Sequence, residues 1–245
     1  MTTFDPEAGV LRVRHAALAV LALLATEPAS QRLHDHAVAE PLAELRRAGL
    51  VGRGGLEPAV APLAHAVGAA RLVADLVASD HGTTHRARLW LGPEAEGAGE
   101  LAVVGLALPD DPDTYALMAD VPGQAPALLA ELVGLGTVSD PPVEGSRRLP
   151  AEAFVALVAA DEGLDRDEVL TVAGDDEFGR ALADGLKGAG LRWRLTVVDG
   201  PELWVLDAGA SGLWLAHREE TDASVIVRPV SGVAAREAIG ELLRG

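Results

Sequence analysis

Histidines, glycines and carboxylates are the residues of this chain with the most obvious chemistry, and their spacing limits what each can do. His34 and His36 flank Asp35, and His81 and His85 stand four apart. Two imidazoles at i and i+4 on one helix can share a metal ion. His81-Gly82-Thr83-Thr84-His85 reads as a loop, however, and spacing supplies no acidic third ligand, so surface histidines are the default reading. Gly97-Ala98-Gly99-Glu100-Leu101-Ala102 spells G-x-G-x-x-A. That fingerprint must follow a strand and open a helix for phosphate to meet the helix N-terminus, and here it leads into a strand. Lys187 lacks the spacing of a phosphate-binding loop, and Ser211 lies in Gly-Ala-Ser-Gly, without the flanking pattern of a nucleophile elbow. Asp110, Asp111 and Asp113, like Glu219, Glu220 and Asp222, read as solvated turns. With no cysteine, thiol catalysis, disulfides and Cys-ligated zinc are excluded. The expectation is a protein without catalytic residues, metal or cofactor.

Composition narrows the partners. The formal charge is −17, from 37 acidic against 20 basic residues, and Lys187 is the one lysine. Such a balance repels phosphate backbones and anionic membranes, which are bound chiefly through clustered Lys and Arg. Nucleic acid and membrane insertion are therefore not expected. One segment argues otherwise: Pro41–Gly55 imitates a recognition helix, a Gly-Leu-Val step and a wing, so a winged-helix DNA-binding regulator is the alternative reading. Its arginines (Arg32, Arg46, Arg47, Arg53) are nearly cancelled by Asp35, Glu40 and Glu44. Ala16–Ala25 superficially imitates a secretory signal after Arg12 and Arg14. Asp5 and Glu7 make a poor n-region, and no small-x-small site follows before Pro28, so a buried helix is expected in a cytoplasmic protein.

The elements that would position any site are clearest at the C-terminus. Arg192–Val198, Leu203–Asp207, Gly212–Arg218 and Ser224–Arg228 are short runs rich in Val, Ile, Leu and Trp, punctuated by Gly, Pro, Asp and Thr. They predict an antiparallel meander, ended by Pro229 and closed by a helix over Val233–Leu243. Trp193, Leu195 and Val197 alternate with Arg192, Arg194 and Thr196, so one face is buried. If Leu213 and Leu215 point inward, Trp214 points outward, as an interface anchor unless another element covers it. Upstream, after an irregular start, helices are predicted over Val13–Leu24, Asp35–Arg47 and Pro58–Ser79. Strands follow at Arg86–Leu91, Glu100–Leu108 and Thr114–Asp120, then a helix over Pro126–Val133. Gly134–Arg148 is the linker candidate; helices near Pro150–Ala160 and Asp175–Lys187, with Asp165–Thr171 between them as a helix or turn, precede the meander.

Helices, strands and a short helix thus occur in the same order twice. The expectation is one α+β domain over residues 1–245, with similar halves near residues 10–135 and 148–245 related by a pseudo-two-fold and sharing a central antiparallel sheet.

This layout resembles the EspG family, chaperones of ESX (type VII) secretion. Three stretches carry the resemblance: Glu100–Gln124 running on to RRLPAEAF at Arg147–Phe154; ELWVLDAGASGLWLAHRE at Glu202–Glu219; and SVIVRPVSGVAAREAIGELL at Ser224–Leu243. It covers roughly residues 35–245; the first thirty residues depart from the family's opening strand, and Leu213 stands where the family often has Arg. The resemblance implies a cytosolic chaperone that caps the apolar helical tip of a secreted PE-PPE-like heterodimer, as a monomer or homodimer. It implies a partner surface near Phe154, Leu157, Val158, Phe178 and Leu182, with Trp214 in the adjoining Asp207–Trp214 hairpin.

Overall fold

The structure, a computed structural model, describes residues 2–27, 36–80, 83–94, 99–132, 134–135, 143–159, 165–209, 212–218 and 223–244. It is an α+β fold with a large antiparallel sheet. The chain divides into two compact units, Met1–Ala74 with His85–Ala125, and Asp75–Thr84 with Pro126–Gly245.

The first unit opens with a hairpin, β1 (Thr3–Asp5) and β2 (Val10–Arg14), where the sequence reading had an irregular start. Leu11 and Val13 of β2 are fully buried, so even five residues alternate strongly enough to pair. Helix α1 (His15–Thr26) follows without a break, then α2 (His36–Arg47), the two-residue strands β3 (Val51–Gly52) and β4 (Gly55–Leu56), and α3 (Ala61–Gly68). α3 lies close on α1: a Cβ at Gly68 would sit 2.6 Å from the Ala22 carbonyl oxygen, a position open only to glycine. Buried Glu44 of α2 accepts hydrogen bonds from the Thr2 hydroxyl and the Arg14 guanidinium, which ties the opening hairpin to α2. The strand order in this unit is β1-β2-β8-β7-β6, with β6 at Thr83–Pro93, β7 at Glu100–Leu108 and β8 at Asp111–Asp120.

The helix predicted over Pro58–Ser79 is corrected. Only Ala61–Gly68 is helical, and Leu72–Asp80 is strand β5. Val60, Leu63, Val67, Ala70, Val73 and Val77 fit a helical spacing, but Leu72, Ala74, Leu76 and Ala78 are buried in alternation and pair as a strand. The helix stops at Gly68, and the β-branched, alternating stretch beyond it suits a pleated surface.

The second unit has the order β5-β10-β11-β12-β13-β9. Its strands β10 (Leu191–Val197), β11 (Glu202–Asp207), β12 (Leu213–Arg218) and β13 (Ser224–Val230) are the predicted meander. β9 (Arg147–Pro150), at the end of the predicted linker, adds an edge strand to β13. Pro229 lies inside β13 rather than after it, opposite Trp214 and beyond the last residue paired with β9. Helices α5 (Ala151–Ala159), α6 (Arg166–Ala173) and α7 (Glu177–Gly188) cover one sheet face, built on Trp204, Leu206, Trp214, Ala216, Val225 and Val227. Helix α8 (Gly232–Arg244) covers the other face, that of Leu203 and Leu215. Before β9, α4 (Ala125–Leu132) forms where a short helix was predicted.

Candidate partner-binding face

Helix α5 and strand β10 build the face that best suits a protein partner, and both do so by periodicity. On α5, Ala151, Phe154 and Leu157 recur at three-residue steps and go into the core, which turns Val155, Val158 and Ala159 outward. On β10, Trp193 and Leu195 go to the α8 side of the sheet, so Arg192, Arg194 and Thr196 face the α5 side. Val77 and Ser79 of β5 complete an open groove of about 300 Å³ between these elements. Val155 on its rim is 37% exposed.

The two arginines differ. Arg192 donates from Nη1 to the Val158 carbonyl oxygen at 3.0 Å and from Nη2 to the Leu186 carbonyl oxygen at 3.1 Å. It thereby meets the carbonyl-rich C-terminal turns of α5 and α7, where a cation offsets the helix dipole. Arg194 is exposed and makes no ion pair among the described residues. Among the described residues no carboxylate lines the groove.

Most of the residues expected at a partner surface lie beneath this face. Phe154, Leu182 and Trp214 are fully buried, Leu157 and Phe178 nearly so, and Val158 is half-buried and lines the groove. Trp214 does not point outward: Leu213, Trp214, Leu215 and Ala216 are all buried, because α7 covers one side of β12. The Phe178 ring meets Trp214 edge-on at 5.5 Å, and Phe154 meets Trp204 likewise at 5.7 Å. The structure therefore places this set together as the support of the face, and Val155, Ala159 and Arg194 as its surface. Sequence reading had the alternation that puts Arg194 on one side of β10, but nothing in it distinguished Val155 from Phe154.

A second groove, of about 650 Å³, lies on the α8 side, floored by Leu203, Leu215 and Ile226 and edged by His217, Arg228 and Glu241. Among the described residues no group of three metal-ligating side chains converges. The histidine readings fall partly outside them: His34, Asp35 and His81 are not described, while His36 opens α2 and His85 lies in β6. Ser211 and most of Gly97–Gly99 are likewise outside the described residues. The helix and wing imitated by Pro41–Gly55 exist as α2 and the β3–β4 hairpin, whose strands are two residues each. No helix among the described residues is long and apolar enough to cross a membrane.

Neither a protein-family model nor a curated protein sequence matches the chain. The fold, by contrast, is similar to that of a solved EspG protein, the family whose sequence pattern the chain resembles. The particular structure it is similar to is that of the Mycobacterium tuberculosis type VII secretion system chaperone EspG5, solved in complex with the PE25-PPE41 dimer. The TM-score is 0.59 at 14% sequence identity, over 96% of this chain and 95% of that one.

Proposed function

We propose that this chain is a cytoplasmic, non-catalytic chaperone that binds an apolar helical tip on a type VII secretion substrate, a PE-PPE-like heterodimer being the model partner. The observation that carries the reading is the fold shared with EspG5 over nearly the full length of both chains. The groove beside α5 supports it, since it offers a partly exposed valine rim over a buried aromatic core. Covering a partner's apolar patch would keep that patch from driving aggregation before export. A few central apolar contacts would supply affinity, and rim charges would set partner choice.

The test is a pull-down with the tagged full-length chain from its own cells, followed by mass spectrometry of what is retained. A helical exported protein in stoichiometric amount is expected, and it should be lost with the surface variant Val155→Asp/Val158→Asp. Retention of nothing sinks the chaperone reading. Unchanged retention by the folded double variant moves the binding site off this face.

A further inference from the structure

The groove beside α5 has a charge character opposite to that of the chain around it. The protein carries 37 acidic and 20 basic residues, yet among the described residues the groove is lined by two arginines and no carboxylate. Arg192 is held by the ends of two helices, with its Nη atoms on the Val158 and Leu186 carbonyl oxygens. Arg194, two residues along the same face of β10, is exposed and without an ion pair among the described residues. Around it stand the apolar side chains of Val77, Val155, Val158 and Trp204.

We infer that this groove selects an apolar helical surface carrying a carboxylate, and that Arg194 is the residue that recognises the acid. The inference rests on the chaperone reading above and adds a rule of partner choice to it. Elsewhere the −17 charge of the chain repels an acidic partner. At the groove an aspartate or glutamate meets a guanidinium whose planar fork donates to both carboxylate oxygens, beside low-dielectric apolar walls that strengthen the pair. A basic side chain at the same place would face Arg194 as a like charge, which disfavours the wrong partner. The groove is open and takes a few side chains, as the edge of a docked helix would require, and does not enclose a small ligand.

The probes are three stapled amphipathic helical peptides with one common leucine-rich face and Glu, Gln or Lys at a single flanking position. Each is titrated against the full-length chain by fluorescence anisotropy at low and high salt. The Glu peptide is expected to bind roughly tenfold more tightly than the Lys peptide at low salt, about the effect of one partly desolvated charge contact. The preference should shrink at high salt, survive in Arg194→Lys and invert in Arg194→Glu, with each variant shown to fold by circular dichroism. Equal binding of the three peptides, or a preference that persists in Arg194→Glu, overturns the role of Arg194. If Val155→Asp still abolishes that equal binding, the groove stands as a docking site without the charge rule. Binding by none of the peptides, or binding indifferent to Val155→Asp, overturns the inference, and the pull-down then judges the chaperone reading separately.

Discussion

Arg147 grips Asp176 with both arms of its guanidinium, Nη2 on Oδ2 at 2.6 Å and Nη1 on Oδ1 at 3.1 Å. The same carboxylate caps α7 by accepting the Gly179 N–H at 2.9 Å, and Arg147 also donates to the Ala173 carbonyl oxygen at the end of α6. The guanidinium lies 4.8 Å over the Phe178 ring. One edge-strand residue thus fastens the α6–α7 corner to the sheet. Together, first the Arg147 bonds and then the Gly179 N–H hold the Asp176 carboxyl at about 2 against its ordinary 3.8. A depressed carboxyl stabilises the fold above its unfolded value, and that contribution is lost as pH falls through the folded one. Between pH 4 and pH 2, thermal melts should therefore fall more steeply for the wild type than for Asp176→Asn, which keeps a cap but has no charge to lose. Parallel slopes would show that the corner does not depend on this pair.

Burial of the aromatic layer makes an opposite prediction for two adjacent residues. Phe154→Ala should cost about 3–5 kcal/mol, the usual result of emptying a packed aromatic site, since its ring is fully buried against Trp204. Val155→Ala, one position along α5 and partly exposed, should stay within about 0.5 kcal/mol. Urea unfolding followed by tryptophan fluorescence distinguishes them. Equal losses would contradict the assignment of α5's inner and outer faces.

A glycine inside α7 gives a steric test of how closely that helix lies on β12. Replacing it with alanine normally stabilises a helix by about 1 kcal/mol. At Gly185, however, a Cβ would come within 2.4 Å of the Trp214 Nε1 atom. Gly185→Ala is expected to be net destabilising, by about 1–3 kcal/mol of overpacking, with a shifted Trp emission. A more stable variant would mean that α7 sits further from the sheet.

Glu44 closes the opening hairpin of the first unit from below. Its carboxyl is held beneath the ordinary range, chiefly by the bonds from Arg14 despite its burial, and the Thr2 hydroxyl adds to this. Glu44→Gln should cost about 1–3 kcal/mol, the range for losing charged hydrogen bonds at a buried acceptor. Hydrogen exchange should show faster exchange at β1 and β2 and little change in the second unit.

How much of this was legible in the sequence varied with how local the cause was. The meander and α8 could be read directly, because each run from Arg192 onward is bounded by its own glycine, proline or aspartate. The Asp207 turn is one such case: its carboxylate accepts the Gly209 N–H at 2.9 Å, and Gly209 sits at a φ of 57°. β5 was not legible, because Val73 and Val77 satisfy two periods at once, and only pairing decides between them. Trp214 misled for a related reason. Alternation assigns a side of a strand but cannot say whether that side is wet, and α7 on one side with α8 on the other makes both sides of β12 dry. The candidate face suffered most. Large apolar residues attract attention as anchors, yet on α5 the largest one is core and the modest Val155 is surface.

The second unit takes one of its strands from the middle of the first unit's sequence. Residues Asp75–Thr84 belong with Pro126–Gly245, and β5 stands beside β10 in the sheet order. During synthesis β5 leaves the ribosome long before Leu191 exists to pair with it, so the edge that β10 will take stays open in the meantime. Such an edge invites intermolecular pairing while the chain waits. It also ties the two units together as a matter of inheritance and engineering: a truncation between Ala125 and Pro126 strips β5 from the unit it completes, and no single cut in the backbone yields both units whole.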